Sequence, residues 1–186
     1  PNVVREVKRH AAAPDEITII DASPGTACPV VEAVEGVDAA LLVTEPTPFG
    51  LNDLKLAVGL TLKLGVPTGI IVNRSDGEDR IIAEYAESVG LPITGRIPFR
   101  RAYAETYSSG GVLAHEFPDL RANLLDLYDN LLATTPPAPQ EDLFETAAGE
   151  ARVFEPGGAD TFKEITVING KGGTGKTTVV SSFAHL

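Results

Sequence analysis

The sequence predicts an α/β fold, a parallel sheet flanked by helices, on three observations. Short, β-branched, nearly unbroken apolar runs recur at 16–20, 39–44, 68–73, 93–97 and 164–169, as in strands buried on both faces. Segments of helical spacing separate them, and a repeated strand–helix order implies parallel pairing. An acid, Asp21, ends the first run, at the strand end where open parallel sheets place their ligands.

Taken in order, residues 3–12 set Val3, Val4 and Val7 at helical spacing. Glu16 to Ile20 is a β-rich run ending at Asp21-Ala22-Ser23-Pro24-Gly25. Pro29 to Val37 reads as a short helix and Ala39 to Thr44 as a buried strand. Gly50 to Leu64 is helical, with Leu54, Leu56, Val58, Leu60, Leu62 and Leu64 too apolar to face water on all sides. Thr68 to Asn73 is a further buried strand. Asp76 to Val89 is an amphipathic helix stopped by Gly90. Ile93 to Ile97 is a strand closed by Pro98, and Pro118 to Leu132 a helix with a leucine-rich side. The composition then changes. Residues 134–162 open on Thr134-Thr135-Pro136-Pro137-Ala138-Pro139 and carry acids and Pro156-Gly157-Gly158, a linker composition. The pattern resumes with a strand at 164–169, a glycine-rich loop and a helix from about Lys176.

Composition narrows the function classes. A length of 186 residues suits one compact domain. A net charge of −11 disfavours nucleic acid and anionic membrane as partners. Arg5, Lys8, Arg9 and His10 read as one solvated helix face. One cysteine, Cys28, excludes an intrachain disulfide and an all-cysteine metal cage within the chain. A reducing cytoplasm fits this usage, and no apolar run approaches the ~20 residues of a membrane span. The histidines, His10, His115 and His185, show no ligand spacing. There is no methionine, and the chain opens at Pro1 and ends at Leu186 inside a helical pattern, which reads as a piece of a longer polypeptide.

The chemistry concentrates in Gly170-Lys171-Gly172-Gly173-Thr174-Gly175-Lys176-Thr177, which matches G-x-x-x-x-G-K-[ST] after a β-branched strand and before a helix. Glycines let backbone N–H groups converge on phosphate oxygens, and the helix turns its positive end toward them. Lys176 reaches the β- and γ-phosphates of a nucleoside triphosphate, the Thr177 hydroxyl ligates Mg²⁺, and Thr178 contacts the α-phosphate. The fold class is thereby a P-loop NTPase-like parallel sheet.

With Lys171 directly after the first glycine, K-G-G-T-G-K-T-T resembles the deviant Walker A motif of the MinD/ParA/Mrp ATPases, which include the nitrogenase iron protein. The resemblance implies that Lys171 reaches the phosphates of a partner subunit across a nucleotide-sandwich dimer; otherwise it is a solvent-exposed lysine that steers nucleotide. Ile17 to Gly25, ending in D-x-x-P-G, resembles the family's switch II. The resemblance implies that Asp21 holds Mg²⁺ through water and Gly25 senses the γ-phosphate; the alternative for Asp21 is a turn-capping acid. Val43-Thr44-Glu45-Pro46-Thr47 resembles the next strand end. Ile71-Val72-Asn73-Arg74 resembles the adenine-binding strand end, where the Asn73 amide reads the base, with a turn-forming Asn as the alternative. Gly95-Arg96-Ile97-Pro98-Phe99 resembles the G-x-I-P segment whose backbone, at Pro98, flanks adenine, and Ala104-Glu105 and Gly110-Gly111 fit its continuation.

Residues 1–133 thus resemble the C-terminal half of such a domain, 134–162 a connector, and 163–186 its N-terminal start, in reversed order. Either two such domains stand in tandem, or one is circularly permuted. In the resembled fold the loop strand lies between the switch II strand and the strand that 39–44 would form; an empty gap there would leave unpaired edges, so 164–169 is expected to fill it, in its own chain or in a swapped neighbour. The family segment between the loop and switch II, with its second strand and an acid near the attacking water, is absent from this sequence. The resemblance implies ATP and Mg²⁺ as ligands, ATP hydrolysis, a homodimer or tandem ATPase partner, and a nucleotide-dependent dimer switch. D-x-x-P-G-x-x-C-P followed by V-T-E-P-T resembles iron–sulfur-associated members, which implies a metal-centre or iron–sulfur protein as client. The resemblance offers Cys28 a shared metal site across a dimer; the residue alone reads as a small buried side chain. Two other readings remain open: a nucleotide-binding scaffold without hydrolysis, and an ATP-dependent ligase of the dethiobiotin-synthetase or cobyrinic-acid-amidase kind.

Overall fold

The computed structural model describes residues 2–11, 17–25, 27–132, 164–169 and 175–185. Their elements are α1 (Asn2–Ala11), β1 (Thr18–Asp21), α2 (Cys28–Val34), β2 (Ala39–Thr44), α3 (Pro48–Lys63), β3 (Thr68–Ser75), α4 (Arg80–Ser88), β4 (Ile93–Pro98), α5 (Arg101–Ser108), α6 (Leu113–Glu116), α7 (Pro118–Leu132), β5 (Glu164–Ile168) and α8 (Lys176–Phe183). The strands form one five-stranded sheet in the order β1-β5-β2-β3-β4, and every pair is parallel.

The last strand in sequence occupies the expected gap. Thr18 to Asp21 pair with Glu164 to Val167 on one side, and Ala39 to Leu42 pair with Ile165 to Ile168 on the other. Both backbone edges of β5 are thereby satisfied. Side chains reinforce the docking. The Glu164 N–H donates to Asp38 Oδ2 at 2.8 Å, and Thr166 Oγ1 donates to the Ala33 carbonyl at 2.8 Å.

Strict alternation splits the sheet into two covered faces. Ala40, Leu42, Ile70, Val72 and Ile168 meet α2, α3 and α4 through Val34, Leu54, Val58 and Ile82. Ala39, Leu41, Val43, Ile71, Ile165 and Val167 meet α7 and α8 through Leu124, Leu127, Leu131 and Val179. This double coverage is why the strands carry apolar residues at consecutive positions. Gly95 marks where α7 presses on β4: a Cβ there would stand 2.6 Å from Leu127 Cδ1 and 2.8 Å from its Cγ. Gly95→Ala should push α7 outward and cost about 1–3 kcal/mol, read as a lower midpoint in urea unfolding.

Several details differ from the sequence reading. The helix expected from Asp76 begins at Arg80, because β3 runs on to Ser75. The stretch after Pro98 forms two helices, α5 and α6, that the reading did not assign. Arg5, Lys8, Arg9 and His10 are not one solvated face. The Lys8 ammonium tucks against α2, donates to the Glu35 carbonyl at 2.8 Å and lies 3.8 Å from Glu164. Burial pulls Lys8 below the ordinary lysine range, against the pull of Glu164 and Glu35. Cys28 is exposed rather than buried. The expected linker 134–162 lies outside the described residues. Among the described residues no helix is long and apolar enough to cross a membrane.

Candidate functional site

Parallel pairing brings the carboxyl ends of β1, β5, β2, β3 and β4 to one edge of the sheet. Asp21 closes β1, and β5 leads through Asn169 toward α8. The two meet. Thr177 Oγ1 donates to Asp21 Oδ2 at 2.9 Å, and the Lys176 ammonium forms an ion pair with Asp21 Oδ1. Lys176 is 8% exposed, and burial lowers its pKa from the ordinary lysine value. Gly25 lies close by, its N–H donating to the Asn169 carbonyl at 2.9 Å.

This cluster suits the ligands the sequence implies. A hydroxyl beside a carboxylate supplies hard oxygen donors, and Mg²⁺ takes one or two such protein ligands while keeping water and phosphate oxygens for the rest. A buried ammonium at the first turn of a helix suits a phosphate. Among the described residues no three His, Cys, Asp or Glu side chains group as a metal cage, so the cluster is not a closed protein-only site. Of the expected phosphate-loop residues, Gly170, Lys171, Gly172, Gly173 and Thr174 lie outside the described residues.

A second region adjoins the first. Gly175 has φ +80, and the Asn73 Nδ2 lies where a side chain at Gly175 would begin. Only glycine combines that backbone with that approach. Beside them opens a cavity of about 250 Å³, whose lining includes Asn73, Pro98, Phe99, Tyr103, Gly175 and Thr178. The structure thus brings Asn73, Pro98 and Thr178 to one cavity, next to the cluster of Asp21, Lys176 and Thr177.

The Val43–Thr47 segment has a local account: Thr47 Oγ1 caps α3 by accepting from the Gly50 N–H at 3.0 Å, and Glu45 pairs with Arg74 at 3.1 Å. Cys28 begins α2 beyond the switch-like turn. His115 and His185 do meet, ring centroids 5.3 Å apart, though nothing in their sequence spacing links them.

Sequence reasoning missed Tyr103. It sits on α5, packs edge-on against Phe117 at 4.7 Å and is 8% exposed. Burial pushes its phenol above the ordinary tyrosine value, against the lowering effect of Arg100. A helical signal was available: Arg101 and Glu105 stand four apart and pair at 2.8 Å, and Tyr103 and Tyr107 share that spacing.

Comparison with known proteins gives partial matches. The chain is similar to the uncharacterized protein MJ0579 of Methanocaldococcus jannaschii, with 35% identity over 109 residues, 58% of this chain and 37% of that one. It is similar to the iron-sulfur cluster carrier protein of Aquifex aeolicus, with 29% identity over 56% of this chain and 33% of that one. It is also similar to the uncharacterized ATP-binding protein MJ0823 of Methanocaldococcus jannaschii, with 31% identity over 52% of this chain and 39% of that one. The chain therefore spans between 33% and 39% of the length of these relatives. No family model and no solved structure matches it.

Proposed function

We propose that this chain is the ATP-binding part of a MinD/ParA/Mrp-type ATPase that works as a nucleotide-dependent dimer switch. The observation that carries the reading is the convergence of Lys176 and Thr177 on Asp21, across most of the sequence. Lys176 binds the β- and γ-phosphates and Thr178 the α-phosphate. Gly170, Gly172, Gly173, Thr174 and Gly175 supply the backbone cradle. Thr177 and Asp21 hold Mg²⁺, which would neutralise phosphate charge when bound, and Gly25 responds to the γ-phosphate. Asn73 reads the base, with Pro98 beside it. Lys171 crosses to the partner subunit.

Residues 1–133 and 163–186 are read as complementary parts of one domain type, joined by 134–162. The place of β5 between β1 and β2 supports that reading. The MJ0823 relative, an ATP-binding protein, supports ATP as the ligand, and the Aquifex aeolicus relative, an iron-sulfur cluster carrier, supports an iron–sulfur or metal-centre protein as the client. A cytoplasmic site of action fits the same reading.

The test is titration with a fluorescent ATP analogue, with and without Mg²⁺, on the wild type and Thr177→Ala. The wild type should bind more tightly with Mg²⁺. Thr177→Ala should lose most of that Mg²⁺ dependence, roughly tenfold in affinity. Sedimentation with Mg²⁺-ATP should show a dimer that ADP does not support. Binding that ignores both Mg²⁺ and the substitution would overturn the assignment of Thr177 and Asp21. Tight binding with no turnover and no dimer would leave a nucleotide-binding scaffold.

A further inference from the structure

We infer that Asp79 is a positioning residue for base recognition: its carboxylate pins the irregular end of β3 that presents Asn73 to the cavity. This rests on the nucleotide reading above. The ladder between β3 and β4 loses register there. Asn73 pairs with Ile97 and Ser75 with Pro98, which leaves Arg74 as the inserted residue. Arg74 has φ 56, the one positive value among the described non-glycine residues. An arginine adopts that conformation only where its surroundings hold it, and bulges beside binding sites serve to re-aim a side chain.

Asp79 supplies the hold. It is 5% exposed. Ser75 Oγ donates to its carboxylate at 2.9 Å, and Arg96 Nε donates to its Oδ2 at 2.8 Å. One carboxylate therefore grips the residue just after the bulge and a residue of the neighbouring strand, where Arg96 pairs with Val72. The Ser75 carbonyl in turn accepts from the Phe99 N–H at 3.0 Å, beside the cavity. Helix capping does not account for this. Asp79 precedes α4, yet its side chain makes no capping bond to that helix; it turns to the strands instead. With the bulge fixed, Asn73 abuts Gly175 and lines the cavity.

The test compares dissociation constants for Mg²⁺-ATP, Mg²⁺-GTP and inorganic tripolyphosphate in the wild type, Ser75→Ala, Asp79→Asn and the double variant Asp79→Asn with Arg74→Gly. Asp79→Asn should cut the preference for ATP over GTP about tenfold and leave tripolyphosphate within about twofold. Ser75→Ala should move the same way by less, and it serves if Asp79→Asn fails to fold. Arg74→Gly should restore most of the preference in the double variant, because glycine takes the positive φ without a pin. An unchanged ATP-to-GTP ratio overturns the inference while leaving nucleotide binding intact. So does an equal loss for ATP and tripolyphosphate that tracks a fall in melting temperature, or the absence of rescue. A wild type that binds neither ATP nor tripolyphosphate overturns the nucleotide reading, and this inference with it.

Discussion

Val167→Asp should leave the chain without a cooperative unfolding transition. Val167 is 1% exposed and sits in the second strand of the sheet, paired with Asp21 on β1 and Leu41 on β2. Its side chain belongs to the core that α7 and α8 cover. A carboxylate at that position would be taken from water into an apolar core, a cost of several kcal/mol. Total stability for a domain of this kind is about 5–15 kcal/mol, so the expected result is collapse of the sheet around β5, seen as a lost urea transition. A milder variant grades the effect. Ile168→Ala empties a fully buried position on the other face and should cost about 2–5 kcal/mol. Near-wild-type unfolding of Val167→Asp would mean that residues 17–132 form their sheet without β5.

Lys176→Ala should weaken Mg²⁺-ATP binding by at least about a hundredfold, about 2.8 kcal/mol. The ammonium is held almost out of solvent at the first turn of α8, where removing one member of a charge-assisted contact costs about 2–5 kcal/mol. Isothermal titration would read it, and affinity within threefold of wild type would remove Lys176 from the phosphate site. Stability should respond differently from binding. Burial holds the folded-state pKa of Lys176 below its unfolded value, so the ammonium is penalised wherever both states are charged. That penalty fades as pH rises through the folded value toward the unfolded one, about 10.4. Ligand-free Lys176→Ala should therefore melt no lower than wild type at pH 7, and the two should converge at high pH. A fall of several degrees at pH 7 would mean that the ion pair with Asp21 outweighs the burial cost.

The legible part of the site follows a common physical logic. Asp21 and Asn73 stand at or near the ends of apolar runs. A residue at such a place must lie at the sheet's carboxyl edge, whatever the order of the strands. Lys176 and Thr177 open a helix behind a glycine-rich turn, and local backbone geometry alone aims them at that edge. Residues whose roles depend on a partner far along the chain were not legible. Lys8 looked like one charge on a wet helix face, and only the packing of α1 on α2 carries it to Glu35 and Glu164. Cys28 looked small enough to bury, yet the start of α2 leaves it exposed. Asp79 looked like part of a helix start, and the approach of Arg96 from β4 draws it away.

The sequence by itself determined the strand–helix alternation, the two-sided burial of the strands and the phosphate-loop motif. Each is written in local period, in turn residues or in fixed spacing, and none needs a distant contact. Through its resemblance to a known fold it also pointed to the gap between the strand ending at Asp21 and the strand 39–44 as the place of the strand at 164–168, where both of its edges are paired. Tertiary structure alone decided the convergence of Thr177 and Lys176 on Asp21, and the clasp of Ser75, Asp79 and Arg96 around the bulge at Arg74. Pairing energy rewards a strand for any compatible edge. At the edges this strand takes, residues separated by more than a hundred positions meet, such as Asp38 with Glu164 and Ala33 with Thr166, and no local pattern encodes their meeting.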